Sequence, residues 1–360
     1  MVDINLIVDI IQLIYKIPSI ILMMVSICAI IKEIKNRNGF FNTQFYTIIA
    51  CKLINDIIFV VTILIFYKLP KWGFYNNFLE NNDWTATIFC ILAGQQITFM
   101  FLITLLISIN RFIAVEYPLS YKPYFSKSRM IIILLFFIIL STMIGLGNIF
   151  FNETFKKSDF FGYLTPSLKS KSLIYYQIFC QIFLCGSISI ATCTFNIKAI
   201  LTLKKLKKIG NKYKKQLYYI IYSIFIFITL FNVEVFFVCK FMAVKFGIRS
   251  FARIIYFLQV VAFDLTSVGD FYFLIYSCSE LRRVLKKFLG CSKKFNNIVN
   301  IKISYQRPSL GFPIIHLDYR SIAIKQTFNH KVCIIFFAKK LDIHHVAPWP
   351  FEISTKLILL

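Results

Sequence analysis

The chain has 360 residues, of which 58% are hydrophobic and 16% are charged, and this composition excludes an ordinary soluble domain. The formal net charge is +25. It does not indicate a nucleic-acid-binding protein, because the lysines and arginines lie in short clusters between apolar runs, as in a polytopic membrane protein. There is no glycine-rich phosphate loop and no set of cysteines with zinc-ligand spacing, so the sequence predicts neither an enzyme nor a cofactor or metal site.

Seven apolar stretches are long enough to cross about 30 Å of hydrocarbon, which takes about 20 helical residues. They predict an all-α integral membrane protein, a bundle of seven transmembrane helices. Lys16 interrupts the first stretch, and the acidic residues before it predict an uncleaved membrane helix rather than a signal peptide. The predicted spans are Ile10–Ile31, Phe45–Tyr67, Trp84–Ala114, Met130–Phe151, Leu173–Leu203, Leu217–Phe241 and Ile254–Ser277.

Lysine and arginine are distributed unequally between the two sets of loops. Twenty follow helices 1, 3, 5 and 7, against nine on the opposite side. Because the positive excess stays in the cytoplasm, the amino terminus is predicted outside and the carboxyl terminus inside. The sequon Asn152-Glu153-Thr154 then falls in an outer loop, which makes Asn152 a candidate for N-glycosylation.

Asp56 lies in the middle of the second predicted helix. A carboxylate at mid-bilayer needs an ion-pair partner, a bound cation or a proton. Lys52 lies one turn earlier, at the spacing of an i,i+4 pair. With Asp264 of the seventh helix, these residues are predicted to form an intramembrane polar switch. A purely structural ion pair between Lys52 and Asp56 is the alternative.

Polar side chains in the outer halves of the helices are candidates to line a ligand pocket. Glu234 is the strongest, because a buried carboxylate there needs a polar or cationic partner. The alternative for each candidate is a hydrogen bond between helices that holds the bundle together. The candidates are Gln95, Gln96, Gln177, Gln181, Glu234 and Gln259.

Most of the ten cysteines lie inside predicted spans, where cysteine acts as a small apolar residue. The outer loop 153–172 contains none. Cys90 and Cys180 lie at similar outer depths on neighbouring helices, so they are the candidate pair for a disulfide.

Arg111 lies at the inner end of the third helix, where an arginine is either an anchor that snorkels to the membrane surface or a working switch. Pro118 and Leu119 follow and end the helix. The string Arg-Phe-Ile-Ala-Val-x-x-Pro-Leu-x-Tyr that begins at Arg111 resembles the inner end of the third helix of rhodopsin-like G-protein-coupled receptors. The resemblance implies that Asn110, Arg111, Pro118 and Leu119 take part in activation and G-protein coupling.

The seventh helix carries part of the same resemblance. Tyr276 matches the tyrosine of that family's Asn-Pro-x-x-Tyr switch, and Tyr272 and Phe273 replace its asparagine and proline. The sixth helix lacks the Cys-Trp-x-Pro hinge, and the fifth lacks its proline. Tyr276 therefore stays a candidate activation residue, whereas the proline hinges of rhodopsin-like receptors are not expected here.

Four short motifs follow one another along residues 6–290. They are Leu13-Ile14-Tyr15-Lys16-Ile17-Pro18-Ser19-Ile20-Ile21-Leu22, Phe41-Asn42-Thr43-Gln44-Phe45-Tyr46, Lys68-Leu69-Pro70 and Ser108-Ile109-Asn110-Arg111, where Asn110 replaces the acidic residue before the arginine. Their order, spacing and topology resemble the nematode serpentine chemoreceptors of class gamma, or the related class V.

This resemblance implies a chemosensory receptor that passes an external small-molecule signal to a heterotrimeric G protein. It also implies the plasma membrane, in the sensory cilium of chemosensory neurons. One alternative is a transporter or ion pathway that uses Asp56, Glu234 and Asp264. Another is a membrane scaffold whose basic loops bind anionic lipid.

A basic amphipathic helix is predicted over residues 278–290. Ser277 and Glu280 have the spacing of a capping box, with leucines on one face and lysines and arginines on the other. Cys291, which follows, is a candidate for palmitoylation. Residues 1–290 are thus predicted to form one receptor domain, and residues 291–360 a poorly ordered cytoplasmic tail.

Overall fold

The computed structural model describes residues 4–36, 43–151, 153–157, 163–166, 171–205, 211–246 and 252–289. Within them, seven helices are long and apolar enough to cross a membrane, which confirms the predicted bundle. These spans, numbered α1 to α7, are Ile7–Lys35, Gln44–Lys71, Trp84–Glu116, Lys127–Phe151, Tyr175–Lys205, Gln216–Met242 and Phe257–Ser277. The chain divides into a unit Met1–Asn296, which contains all of them, and a unit Asn297–Leu360, which lies outside the described residues.

Three of the spans contain a π-helical turn, at Leu64–Lys68 in α2, Phe179–Leu184 in α5 and Leu265–Gly269 in α7. A π-turn inserts one residue into the helix, changes which faces point inward and is frequent at functional sites. The fifth and seventh helices lack the prolines of rhodopsin-like receptors, yet each is irregular at a π-turn. The α-helical segments are Ile4–Lys35, Thr43–Ile63, Leu69–Lys71, Trp84–Glu116, Lys127–Leu146, Lys171–Ile178, Cys185–Lys205, Asn211–Phe246, Ala252–Asp264 and Asp270–Ser277.

The third helix is the most buried span and packs against α2, α4, α5 and α6. Its contact with α4 is close because Gly145 has no side chain: a Cβ atom there would lie 2.5 Å from the Ile91 carbonyl oxygen. Small residues allow this approach between membrane helices. Asn148, in the 3-10 turn Gly147–Phe151 that ends α4, donates to the Gly145 carbonyl oxygen at 2.9 Å.

A two-stranded hairpin in the loop after α4 lies over the outer ends of α2 and α3. Its antiparallel strands are β1 (Phe155–Lys157) and β2 (Leu164–Pro166). Phe155 and Leu164 are buried against Leu79 of the short helix Asn76–Asn81 and against Ala86 of α3. This outer cluster attaches the hairpin to the bundle.

On the inner side, a short helix Tyr121–Tyr124 precedes α4, and α8 (Ser279–Phe288) follows α7. The leucines of α8 are buried and its lysines are exposed, as the amphipathic prediction requires. The predicted capping box is wrong, because Ser277 ends α7 and the cap residue is Cys278, which makes no side-chain cap bond. Glu280 instead hydrogen-bonds to two tyrosines of other helices, which the local pattern did not indicate.

Candidate functional site

Arg111 is fully buried at the inner end of α3, with a relative exposure of 0%. Its guanidinium carbon lies 3.8 Å from the ring centre of Phe45 in α2 and 4.5 Å from that of Tyr219 in α6. Such stacking stabilises a guanidinium through the negative face of each ring. Nη2 donates to the Asn110 side-chain oxygen at 2.7 Å, whereas Nε and Nη1 have no hydrogen-bond partner among the described residues. The arginine is thus held mainly by aromatic rings rather than by a carboxylate.

Glu280 of α8 joins the two tyrosines beside this arginine. Tyr219 donates to its carboxylate at 2.9 Å and Tyr46 of α2 at 3.3 Å. Hydrogen bonds to a charged group are the stronger kind. The set Phe45, Tyr46, Tyr219 and Glu280, called the arginine cage below, therefore connects α2, α6 and α8 around the end of α3.

The other predicted coupling residues lie at the inner ends of α3 and α7 and on the loop that follows α3. Asn110 is buried, and its amide donates to the Tyr121 hydroxyl at 3.0 Å. Pro118 is exposed, and Leu119 is 95% exposed on the loop after α3. Tyr276 is 73% exposed on α7. The structure therefore brings Asn110 to Arg111 but leaves Tyr276 outside the arginine cage.

A buried polar layer lies one turn outward from Arg111. The hydroxyls of Ser108 in α3 and Ser223 in α6 are 2.9 Å apart, and Ser223 donates to the Asn196 side-chain oxygen of α5 at 2.7 Å. Buried polar groups between membrane helices hold them in register. These residues were missed in the sequence, where serines in apolar helices carry no distinctive spacing.

At mid-bilayer, Lys52 lies between two carboxylates. Its ammonium nitrogen is 2.7 Å from Asp56 Oδ2, the predicted ion pair, and 3.2 Å from Asp270 Oδ2 of α7. Thr229 of α6 donates to the other oxygen of Asp270 at 3.0 Å. All three charged side chains are 0–3% exposed. We call Lys52, Asp56 and Asp270 the lysine triad.

Asp264 does not belong to this triad, so its predicted grouping with Lys52 and Asp56 is wrong. The five residues of the π-turn Leu265–Gly269 separate it from Asp270, which places it roughly 9 Å farther out along the helix. There it pairs with Lys16 of α1 at 2.5 Å and accepts hydrogen bonds from Tyr15 and Gln12. This pair explains how α1 accommodates a lysine. Asp270 was missed, although an acid at the depth of Asp56 is a detectable signal.

A second ionic cluster holds the outer ends of α1 and α2 together. Asp9 is 1% exposed and forms ion pairs with Lys68 and with Lys71, the latter at 2.5 Å. Gln12 accepts from Lys68 at 2.6 Å. The side chain of Asp9 thus fixes the Lys68-Leu69-Pro70 segment to the first helix.

Several predicted pocket residues make hydrogen bonds or close contacts between helices. Gln96 is fully buried and donates to Thr62 of α2 at 3.0 Å. Gln95 lies against Gly145 of α4. Glu234 accepts from Ser189 of α5 at 3.0 Å. For these three residues, the contacts match the interhelical alternative.

The remaining candidates lie nearer the outer surface or on α5. Gln259 of α7 accepts from Tyr67 at 3.2 Å, and the Tyr67 hydroxyl lies 2.7 Å from that of Tyr163 in the hairpin loop. Gln177 and Gln181 are half-buried on α5. Gln259 is therefore the glutamine placed beside the loop that covers the bundle.

Glu153, next to the hairpin, is a buried carboxylate that the sequence analysis noted only as the middle of a sequon. It is 2% exposed, and apart from the nearby Cys90 thiol its oxygens have no hydrogen-bond partner among the described residues. Burial raises the pKa of Glu153 to about 7, while the nearby Cys90 thiol and Lys240 ammonium of α6 act to lower it. Cys90 and Cys180 are both free thiols, so the candidate disulfide is not formed. The packing decided this, because Cys90 lies beside Glu153 and Cys180 beside Tyr176.

Asn152, Cys291 and the tail 291–360 lie outside the described residues. The glycosylation, palmitoylation and disorder predictions for them therefore remain predictions. Within the described part of the chain, no group of three metal-ligand side chains comes together.

The seven-helix arrangement is that of a rhodopsin-type receptor. Squid rhodopsin superimposes with a TM-score of 0.57 at 14% sequence identity, over 76% of this chain and 83% of that one. At this identity the likeness concerns the fold alone. Together with the seven spans, it makes the chain a multi-pass membrane protein with the seven-helix receptor fold.

The family follows from the sequence match. The model of the Srg family, described as "Srg family chemoreceptor", matches residues 9–285, and the chain belongs to this family. The serpentine receptor class gamma-5 of Caenorhabditis elegans is 26% identical over 201 residues. That alignment spans 56% of this chain and 60% of the relative, less than two thirds of its length. The predicted resemblance to class gamma receptors is confirmed.

Proposed function

We propose that the chain is a G-protein-coupled chemosensory receptor that transmits an external small-molecule signal to a cytoplasmic heterotrimeric G protein. The observation that carries this proposal is Arg111, a fully buried cation at the inner end of α3, two of whose nitrogens have no hydrogen-bond partner in the described part of the chain. Leaving such a group buried is costly. A helix arrangement that exposes the guanidinium to a partner in the cytoplasm therefore gains a strong interaction.

In the proposed mechanism, the arginine cage is closed in the resting receptor. Phe45 and Tyr219 cover the guanidinium, and Glu280 holds Tyr219 in place. Outward movement of α6 would break both contacts of Tyr219 and uncover Arg111. A ligand drives this change only through a higher affinity for the open arrangement.

The ligand is expected at the outer end of the bundle. Gln95 and Arg111 are 16 residues apart on α3, about 24 Å along a helix, so recognition and coupling take place at separate levels. Glu153 provides a carboxyl group there, Lys240 an ammonium group and Gln259 a neutral amide. These polar groups favour a polar ligand over a pure hydrocarbon.

The G-protein surface would include Leu119 and Pro118 on the second inner loop, with Asn110 and Arg111 behind them. Leu119 is an apolar side chain exposed at 95%. Isolated exposed leucines are common, but one at the tip of a loop beside Arg111 is well placed to insert into a partner. Tyr276, exposed on α7, would contribute at the opposite edge.

The proposed location is the plasma membrane, in the sensory cilium of chemosensory neurons, as the family resemblance implies. No chemical step is assigned to the chain, which belongs to a receptor family. The comparisons give no support to the transporter alternative.

The test is ligand-dependent nucleotide exchange on a G protein in membranes carrying the full chain, against a panel of small volatile and water-soluble metabolites. Arg111→Ala should abolish exchange while surface expression is retained. The matched control is Arg129→Ala, because Arg129 is exposed at the start of α4 and its side chain donates only to the Pro123 carbonyl oxygen within the described residues. Normal nucleotide exchange in the Arg111→Ala variant would show that Arg111 is not needed for coupling and serves as a membrane anchor. A ligand-dependent current without a G protein would favour an ion pathway.

A further inference from the structure

The lysine triad holds an excess of one negative charge at mid-bilayer. Lys52 supplies one positive charge, whereas Asp56 and Asp270 can supply two negative ones. The three side chains are 0–3% exposed, so water does not screen the excess. Leaving a buried charge unpaired is strongly unfavourable. Charge balance therefore requires one further positive charge inside the bundle.

The cation position between the two carboxylates is already occupied by the lysine. Its ammonium lies within 3.2 Å of an oxygen of each acid and 3.5 Å from the Thr266 carbonyl oxygen in the π-turn of α7. A metal ion bound between the same oxygens would collide with it or be repelled by it. The remaining positive charge is thus expected to be the smallest one available, a proton.

One carboxylate oxygen is in a position to receive this proton. Asp56 Oδ1 has no hydrogen-bond partner among the described residues, whereas Asp56 Oδ2 and Asp270 Oδ2 face the Lys52 ammonium and Asp270 Oδ1 accepts from Thr229. Lys52, the opposite carboxylate and the Tyr222 phenol of α6 are the titratable groups that act on these acids. Tyr222 is buried and uncharged at neutral pH, so it adds no positive charge.

We infer that the lysine triad is a proton-binding site with a built-in cation, in which Asp56 and Asp270 together carry one exchangeable proton at neutral pH. The site joins α2 to α7 through Asp270, the residue that directly follows the π-turn Leu265–Gly269. Since two carboxylates that share one site cannot both ionise cheaply, the pair retains one proton, and Asp56 Oδ1 is the oxygen placed to bind it. This inference does not rest on the proposed receptor function.

The direct measurement is the infrared carbonyl band of a protonated carboxylic acid, in the full chain labelled with carbon-13 aspartate so that glutamates do not contribute. The wild-type protein should show one such acid in this pair at neutral pH. Asp56→Asn and Asp270→Asn should each remove the band, because each leaves a neutral ion pair with Lys52. The matched control is Asp264→Asn, which removes an aspartate of the same helix from the Lys16 pair and should keep the band.

A second variant and a second readout keep the test decisive. Lys52→Met should increase the aspartic-acid band, because two carboxylates without a cation both take up protons. Replacing choline chloride with sodium chloride at equal ionic strength should leave the Tm of the wild-type protein unchanged. Absence of the band, its persistence in both Asn variants, or a Tm that rises with sodium would each overturn the proton site. The last result would assign the missing charge to a metal cation.

Discussion

The ring centre of Tyr219 in α6 lies 4.5 Å from the guanidinium carbon of Arg111 in α3. The hydroxyl of the same tyrosine donates to Glu280 of α8 at 2.9 Å. One side chain therefore covers the arginine and is itself held by a carboxylate. Movement of α6 away from α3 has to break both contacts, which makes Tyr219 the most informative position for mutation at the inner face.

Tyr219→Phe should raise ligand-independent nucleotide exchange. The ring still covers Arg111, but the hydrogen bond to Glu280 is lost, and such a bond contributes about 1 kcal/mol or more. The closed arrangement would lose that amount, so basal exchange should rise about fivefold. Tyr218→Phe is the control, because Tyr218 is 45% exposed on the same helix. Equal basal exchange in both variants would show that Glu280 does not hold the cage closed.

Removing one partner of the Lys16–Asp264 ion pair should destabilise the protein, because the other partner is left largely buried without its counter-charge. Breaking a buried pair by removing one partner costs roughly 3–5 kcal/mol, and the 14% exposure of both side chains should reduce that cost here. Lys16→Met and Asp264→Asn should each lower the Tm in detergent. The double variant should lose less than the sum of the two. Strictly additive losses would mean that the two side chains do not interact.

Gly145→Ala should destabilise the contact between α3 and α4. The added Cβ atom would lie 2.5 Å from the Ile91 carbonyl oxygen, so the helices have to separate. Overpacking of this kind costs about 1–3 kcal/mol. Gly94→Ala is the milder control, because its Cβ atom would meet the Asn148 side-chain nitrogen at 3.2 Å and the Gly145 Cα atom at an ordinary contact distance of 3.6 Å. The Tm of both variants measures the difference, and equal values would contradict the close contact.

Glu153 should make the protein less stable as the pH rises from about 4.5 to about 7. The pKa of this carboxyl is raised from 4.5 to about 7 by burial, so the folded state holds the proton more tightly than the unfolded state. The stabilisation by the protonated Glu153 is complete below the pKa that this carboxyl has in the unfolded state. It is lost as the pH rises through the pKa of the carboxyl in the folded state.

Glu153→Gln should remove that part of the dependence of Tm on pH. Glu80→Gln should keep it, since Glu80 is exposed on the same side of the bundle. A wild-type Tm that rises across this pH range would contradict the buried acid, provided that the Glu153→Gln variant does not share the rise.

The sequence by itself determined the seven spans, the fold class and the family, because each of these depends on local composition and spacing. A run of about 20 apolar residues must form a helix in lipid wherever it lies in the chain. The Lys52–Asp56 pair was predictable for the same reason, since both residues lie on one helix at i,i+4. The amphipathic α8 was also readable from its own residues.

The tertiary structure decided which charged residues on different helices form ion pairs. Lys16 and Asp264 are 248 positions apart and meet only because α1 packs beside α7. The π-turn in α7 then separates Asp264 from Asp270 and gives the mid-bilayer position to the second acid. Glu280 has a local capping role available but hydrogen-bonds to Tyr46 and Tyr219 instead. In each case a buried polar group is satisfied by whichever partner the packing brings within reach, and that partner is not encoded in neighbouring residues.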